Sequence, residues 1–183
     1  MPRLLHLNGP PGIGKSTLAR RYADEHPGVL SCDIDVLRTL IGGWSDDFAA
    51  AGAAIRPVAL AIIEAHLRAG CDVVLPQMLV DPAELARFEA VASRAGAAFV
   101  ERVLLDEDGP DAAVARFHRR GTDTPDPWHE QVRAIVAAQG GDDTLRRYHR
   151  ALRGLVDDRP GAVVVPSREG DPDATYEALL RSL

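Results

Sequence analysis

Lysine is all but absent from this chain: position 15 holds the only one, and the other 20 of its 21 basic residues are arginine. An N-K-x-D motif, through which guanine-reading switch proteins hold their base, therefore cannot occur. Cysteine is nearly as scarce. Cys32 and Cys71 are the only two and form no C-x-x-C pair, so neither a disulfide framework nor a zinc knuckle is indicated. Long apolar runs are missing too. The longest, around Val58–Ala65, reads as far too short to cross a bilayer, and the N-terminus lacks the apolar stretch of a signal peptide. The expectation is a cytoplasmic protein with no membrane segment. Positive charge is in deficit, with a formal net charge of −6 at pH 7. That argues against a chain-wide basic surface for duplex DNA and leaves room for a local basic groove. The 183 residues suit a single domain, 1–183, with a substantial core.

The lone lysine stands in the one stretch with an unmistakable pattern. Leu4, Leu5 and Leu7 make a short apolar run with strand character, and Gly9-Pro-Pro-Gly-Ile-Gly14-Lys15-Ser16 then fits G-x-x-x-x-G-K-[ST], a phosphate-binding loop. Gly9, Gly12 and Gly14 let the chain curl so that backbone N–H groups, Ile13 among them, turn toward an anion. The helix that opens at Lys15 adds the positive end of its dipole. Lys15 supplies a compact, mobile ammonium where a planar guanidinium would fit poorly. Ser16 supplies a hydroxyl for Mg²⁺, and Thr17 follows on the nucleotide side. A nucleoside triphosphate, with ATP as the default, is the implied ligand.

Strand and helix signals alternate along the rest of the chain. Helices are expected at Lys15–Glu25, Val36–Ile41, Phe48–Ala69 (kinked or split by Pro57), Pro82–Arg94 with Asp81 as N-cap, and Pro110–Arg120. Two more are expected at Trp128–Gln139 and Asp143–Val156, and a last at Pro172–Leu183 capped by Asp171. Strands are expected at the N-terminus, Val29–Cys32, Asp72–Pro76, Ala98–Leu105 and Ala162–Val165. The implied fold is α/β, a five-stranded parallel sheet covered by helices on both faces, with ligands beyond the carboxyl ends of the strands. The phosphate loop, Asp33/Asp35 and Pro76-Gln77 all fall at those ends.

Transfer of a phosphoryl group to a hydroxyl needs a carboxylate to orient and deprotonate the acceptor, and cations to cover the charge. Asp33 and Asp35 are two apart at a strand end, and either could be the base or the cap of the short helix that follows. Asp35 is the preferred base; Asp33 is the alternative, or a helper to Ser16 in holding Mg²⁺. Arg38 lies one helical turn beyond Asp35 on the same face. Arg116 and Arg120 share a helical face just before the Gly/Pro/Asp-rich segment 121–127, as a lid over the nucleotide at about 116–130 would require. A motor-type ATPase would instead use an apolar strand ending in Asp-Glu, and Val103-Leu104-Leu105-Asp106-Glu107 has that form. The plainer reading is that Asp106 merely ends the fourth strand. His118, His129 and His149 lack metal-ligand spacing, and Arg146, Arg147 and Arg150 read as a solvated helical face.

The loop GPPGIGKST, the segment Asp33-Ile-Asp35-x-x-Arg38 and the helix AVARFHRRG before a lid resemble small P-loop kinases over about Leu4 to Val136. The pattern is most similar to the kinase domain of polynucleotide 5′-hydroxyl kinases, and more distantly to chloramphenicol phosphotransferase and zeta-toxin-like kinases. The resemblance implies a three-layer P-loop kinase fold with a helical lid, using ATP and Mg²⁺. It implies Asp35 as general base, Arg38 on the acceptor side, and Arg120 or Arg116 on the transferring phosphoryl. Where the polynucleotide family has an Asp-Thr-Asn-like stretch, this chain reads Pro76-Gln77-Met78, a less polar element whose Gln77 could hydrogen-bond an acceptor. The acceptor stays open between a nucleic-acid 5′-hydroxyl and a small-molecule alcohol. A P-loop ATPase whose ATP binding acts on a protein partner is the alternative.

Overall fold

The computed structural model of the protein describes residues 1–120 and 127–183. The elements in order are β1 (Arg3–Asn8), α1 (Lys15–Glu25), β2 (Leu30–Ser31), α2 (Ile34–Arg38), α3 (Phe48–Arg68), β3 (Val73–Pro76), α4 (Pro82–Arg94) and β4 (Ala98–Asp106). There follow α5 (Pro110–Arg119), α6 (Pro127–Ala138), α7 (Asp142–Asp158), β5 (Val163–Ser167) and α8 (Pro172–Ser182). The strands form a five-stranded parallel sheet in the order β2-β3-β1-β4-β5, flanked by helices. By its contacts the chain divides into two compact units: Met1–Asn8 with Lys15–Glu101, and Gly9–Gly14 with Arg102–Leu183.

In the first unit β3 runs between β1 and β2, with Leu7 opposite Pro76 and Ser31 opposite Val74. Leu4 and Leu7 of β1 and Val73, Val74 and Leu75 of β3 are fully buried, as continuous apolar strands of a parallel sheet must be. Helix α3 lays one stripe, Ala51, Ile55, Ala59, Ile63 and Leu67, into this core at a spacing of four. Pro57 neither splits nor ends the helix, which runs unbroken over 21 residues. The proline is exposed, and the buried stripe on either side of it holds the helix across the missing hydrogen bond. The alanines also extend the apolar run well beyond Val58–Ala65: by length and composition alone α3 would suffice to cross a membrane. Here its stripe is core, against β1, β3, α2 and α4.

A buried polar group ties the end of β1 to the chain after β3. Asn8 donates to the Leu79 carbonyl (2.8 Å) and to Glu101 Oε1 (3.2 Å), and its own Oδ1 accepts from the Leu79 N–H (3.0 Å). His6 Nε2 donates to the Gln77 carbonyl at 2.8 Å, because a carbonyl can only accept. Residues 77–79 are thus fastened to the strand from which the phosphate loop springs.

In the second unit Val114 and Phe117 of α5 pack with Val136 of α6 and Leu145 of α7, joined by Val132 and Tyr148. β5 runs to Ser167, past the expected end at Val165, and takes Pro166 within it; an edge strand tolerates a residue without an N–H. The caps at Asp81 and Asp171 are as expected, each side chain accepting a backbone N–H of its helix. Of the expected lid, residues 121–126 lie outside the described residues. Replacing Asn8 with alanine is expected to lower stability by about 2–4 kcal/mol, since it orphans the buried Leu79 amide and removes a partner of Glu101. Urea unfolding of N8A against wild type measures it.

Candidate active site

The loop after β1 is built for close approach. A Cβ on Gly9 would stand 2.7 Å from the Leu104 carbonyl oxygen, so only glycine passes there. A turn follows, closed by the Ile13 N–H to the Pro10 carbonyl at 3.4 Å, with the Ile13 side chain buried as its anchor. Gly14 has φ of 101°, a left-handed value that favours glycine. Arg116 grips this loop from α5. Its Nη2 donates to the Ile13 carbonyl (2.9 Å), its Nη1 donates to Ser167 Oγ (3.0 Å), and Ser167 Oγ donates to the same Ile13 carbonyl (3.2 Å). Asp106 Oδ2 lies 3.7 Å from Nη1.

Arg116 therefore differs from the expectation of a guanidinium carried in on a closing lid. It is 16% exposed and already fastened to the phosphate loop, because its helix is held by the Phe117 cluster. Arg120, one turn on, ends α5 with an exposed side chain, and its carbonyl accepts from Arg133. Arg119 pairs with Glu169, and Arg168 with Glu107, both at the surface. Gly9, Gly12, Ile13, Gly14 and both lid arginines belong to the second unit; Lys15, Ser16 and Thr17 open α1 in the first. The first turn of α1 carries no carboxylate of its own to offset the positive end of its dipole. Half-buried Lys15 and Ser16 at that end suit a phosphate with its metal ion.

The first unit brings Asp33, Asp35, Arg38 and Lys15 into one electrostatic neighbourhood. Asp33 is the N-cap of α2, with Oδ1 accepting from the N–H of Asp35 (3.0 Å) and of Val36 (3.4 Å). The cap starts the helix at Ile34, earlier than the expected Val36, and leaves the Asp35 carboxylate out of the capping. Burial, followed by the charge of Asp33, pushes the Asp35 carboxyl up from 3.8 to about 6, against the opposing pull of Arg38, Lys15 and Arg56. Arg38 is 7% exposed. Its guanidinium lies 3.9 Å from the centre of the Phe48 ring and directly on Gly52, where a Cβ would come within 3.1 Å of Nη2. Burial lowers the Arg38 pKa, and Asp35 pulls it back up.

Two residues complete this side. The strand register puts Gln77 next after Pro76, beside the end of β1, and its Oε1 is buried with no hydrogen-bond partner among the described residues. Arg56, one turn beyond Gly52 on α3, was not among the expected site residues. It is the only charged residue between Asp47 and Glu64, a signal the sequence carried.

The raised Asp35 pKa has a sign that can be checked. Well below pH 3.8 the carboxyl is protonated in folded and unfolded chains alike and carries no penalty. As pH rises the unfolded chain ionises first, so stability falls until about 6 and stays lower above it. Asp35→Asn is expected to be more stable than wild type at pH 8 by about 2–3 kcal/mol, with most of the gain gone at pH 4. Denaturant unfolding at the two pH values measures this. A carboxyl ¹³C NMR titration should place Asp35 near 6, and lower in Asp33→Asn, which keeps the cap but loses the charge.

A family model described as "AAA domain" matches residues 4–140. No curated protein matches the chain. Among solved structures, the Deinococcus radiodurans tunicamycin resistance protein aligns over 98% of this chain and 94% of its own, with 19% identity and a TM-score of 0.62. A gluconokinase from Sinorhizobium meliloti aligns over 98% and 93%, with 17% identity and a TM-score of 0.57. At such identities the likeness is one of fold, and the family match spans the loop, the Asp33–Arg38 segment and the Arg116 helix: the chain belongs to the AAA domain family and has a P-loop kinase-like fold.

Proposed function

We propose that this protein is an ATP- and Mg²⁺-dependent kinase that transfers the γ-phosphoryl group of ATP to the hydroxyl of an alcohol. The observation that carries the reading is Asp35: a carboxylate left out of the helix cap, tuned to about 6 by burial, and close enough to Lys15 to feel its charge. A base with that pKa is ionised at neutral pH yet basic enough to take a proton as the bond forms.

Lys15 and the backbone of the loop bind the triphosphate. Ser16, helped by the Asp33 oxygen that does not cap, would hold Mg²⁺, which when bound screens the phosphate charge. Asp35 accepts the hydroxyl proton as the acceptor oxygen attacks the γ-phosphorus and the bond to the β-phosphate oxygen breaks, releasing ADP. Arg38 and Gln77 orient the acceptor. Arg120 is assigned to the transferring phosphoryl, while Arg116 keeps the loop in shape. The setting is the cytoplasm, where ATP and Mg²⁺ are supplied.

The acceptor is to be found by a radiolabelled γ-phosphate screen. The resemblance to polynucleotide 5′-hydroxyl kinases puts 5′-hydroxyl oligonucleotides in it, and the two structural relatives add tunicamycin and gluconate. A second reading, a P-loop ATPase acting on a protein partner, draws on the family's description and on Asp106-Glu107. Against it, Glu107 is paired with Arg168, and Asp106 accepts from the Asp108 N–H and faces Arg116.

Lys15→Ala is expected to lower turnover by about 10³-fold or more. Asp35→Asn should abolish transfer while ATP affinity, measured by calorimetry, stays within threefold. In wild type, kcat/KM should climb about tenfold per pH unit below 6 and level off above 7, as the carboxylate form fills. Strong ATPase activity that no alcohol affects and a protein partner stimulates would favour the second reading.

A further inference from the structure

We propose that the second unit holds a further ligand site, between α7 and the strands β4 and β5. Its ligand is a small carboxylic acid that carries a neutral N–H donor on an apolar body. The site goes beyond the kinase reading and does not depend on it.

Leu145, His149 and Leu152 follow one another at spacings of four and three along α7, the period of a core-facing stripe. Leu145 and Leu152 are buried, so the histidine stands where the stripe would take an aliphatic residue. It lines a cavity of about 350 Å³, with Leu105 of β4 and Val164 and Pro166 of β5 as apolar walls. Leu105 lies opposite Pro166 in the strand register, and Asp106 and Arg153 add polar groups. All of these residues belong to the second unit. None of the cavity's described walls comes from the phosphate loop or from the Asp33–Arg38 segment.

Two acceptors among these residues lack donors. Asp106 is 6% exposed; its Oδ1 accepts from the Asp108 N–H, while its Oδ2 is buried without a hydrogen bond among the described residues. His149 is hydrogen-bonded to the Asp106 backbone in the sense that favours the charged ring, so a ring N–H donates to the Asp106 carbonyl. Its Nε2 is buried with no hydrogen-bond partner among the described residues, which makes Nδ1 the donor. Burial lowers the His149 pKa against the pull of the Asp106 charge, and Arg153 lowers it further. A neutral ring with its proton on Nδ1 leaves Nε2 an acceptor.

The charges decide what kind of donor fits. The Asp106 carboxylate already faces Arg116 at 3.7 Å and lies within electrostatic reach of Arg119. What it lacks is a donor, not a cation. Arg153 is the reverse: an exposed guanidinium one turn beyond His149, with no ion pair or hydrogen bond among the described residues. Glu107, the other acid lining the cavity, is taken by Arg168. The cavity therefore suits a neutral N–H for its two acceptors, an anion for Arg153, and an apolar body for its walls.

Calorimetric titration compares N-acetylleucine with its primary amide, which lacks the charge, and with its N-methylated acid, which lacks the N–H. A phenylalanine series repeats the comparison with a larger body. None of these probes is an alcohol, so phosphoryl transfer cannot consume them. In at least one series the N-acetyl acid should bind about tenfold more tightly than either relative. Arg153→Gln should erase the preference over the amide, and Arg153→Lys should recover part of it. His149→Phe, which fills the same stripe position, should erase the preference over the N-methylated acid. In wild type the ¹⁵N resonance of His149 Nε2 should move upfield as the acid binds, reporting the new hydrogen bond without any substitution. Arg150→Gln, exposed on the same helix but outside the cavity, should leave every value as in wild type. The site is overturned if neither acid binds, or if each binds no more tightly than its amide. It is overturned equally if Arg153→Gln and His149→Phe leave binding unchanged, or if the Nε2 resonance stays in place at saturation.

Discussion

The bond from Asp33 to the first turn of α2 determines what the neighbouring acid can do. A helix of five residues with no cap would leave its leading N–H groups open, and the nearest carboxylate would be drawn to them. Because Asp33 takes the N–H groups of Asp35 and Val36, the Asp35 side chain points elsewhere, and it stays half-buried beside cations instead of being spent on the backbone. The same Asp33 charge raises the pKa of Asp35. One residue therefore both frees the carboxylate and makes it more basic, and the folded chain carries the resulting strain in its ionisation as lost stability. A surface cap with no such neighbour would have been neutral for everything but the helix.

Helix α3 serves that arrangement from the other side. Its buried stripe is aliphatic and small, so α2 can approach closely, and Gly52 opens the one place where a guanidinium can lie flat on the backbone. An alanine there would have to displace Arg38 by some tenths of an ångström, and Phe48 closes the opposite face of the guanidinium. The alanine content that makes the helix look fit for a membrane is, in this setting, what permits tight packing against both the sheet and α2.

How much of this the sequence revealed follows the range of the interactions. The phosphate loop was legible because its chemistry is local: three glycines, one lysine and one hydroxyl within eight residues. The caps at Asp81 and Asp171 were legible for the same reason, since each contacts a backbone N–H no more than three residues away. At Pro57 the sequence left a kink or a split open, and the buried stripe on both sides decides that the helix is not split. Arg116 was legible only in part. Its spacing from Arg120 and the glycine-rich segment beyond suited a lid, whereas its partners, Ile13 and Ser167, lie 103 and 51 residues away. Arg56 went unnoticed although it was the one charge in an apolar helix, because nothing near it in sequence showed that Arg38 would lie against the preceding turn.

The single lysine takes its meaning from what the arginines do. Arg3 joins Asp72 to the Tyr22 hydroxyl, Arg102 grips the hydroxyl and carbonyl of Ser182, and Arg116 bridges the Ile13 carbonyl and Ser167. Each is a planar fork fixed by several partners at once, which is how guanidinium locks structure. A phosphate that changes its bonding during reaction needs the reverse: a point charge on a flexible stem that can follow the oxygen as charge moves from one phosphate to the next. Under the kinase reading proposed above, a chain that builds its fixed contacts from arginine keeps its one side-chain ammonium for the position where fixity would be a fault.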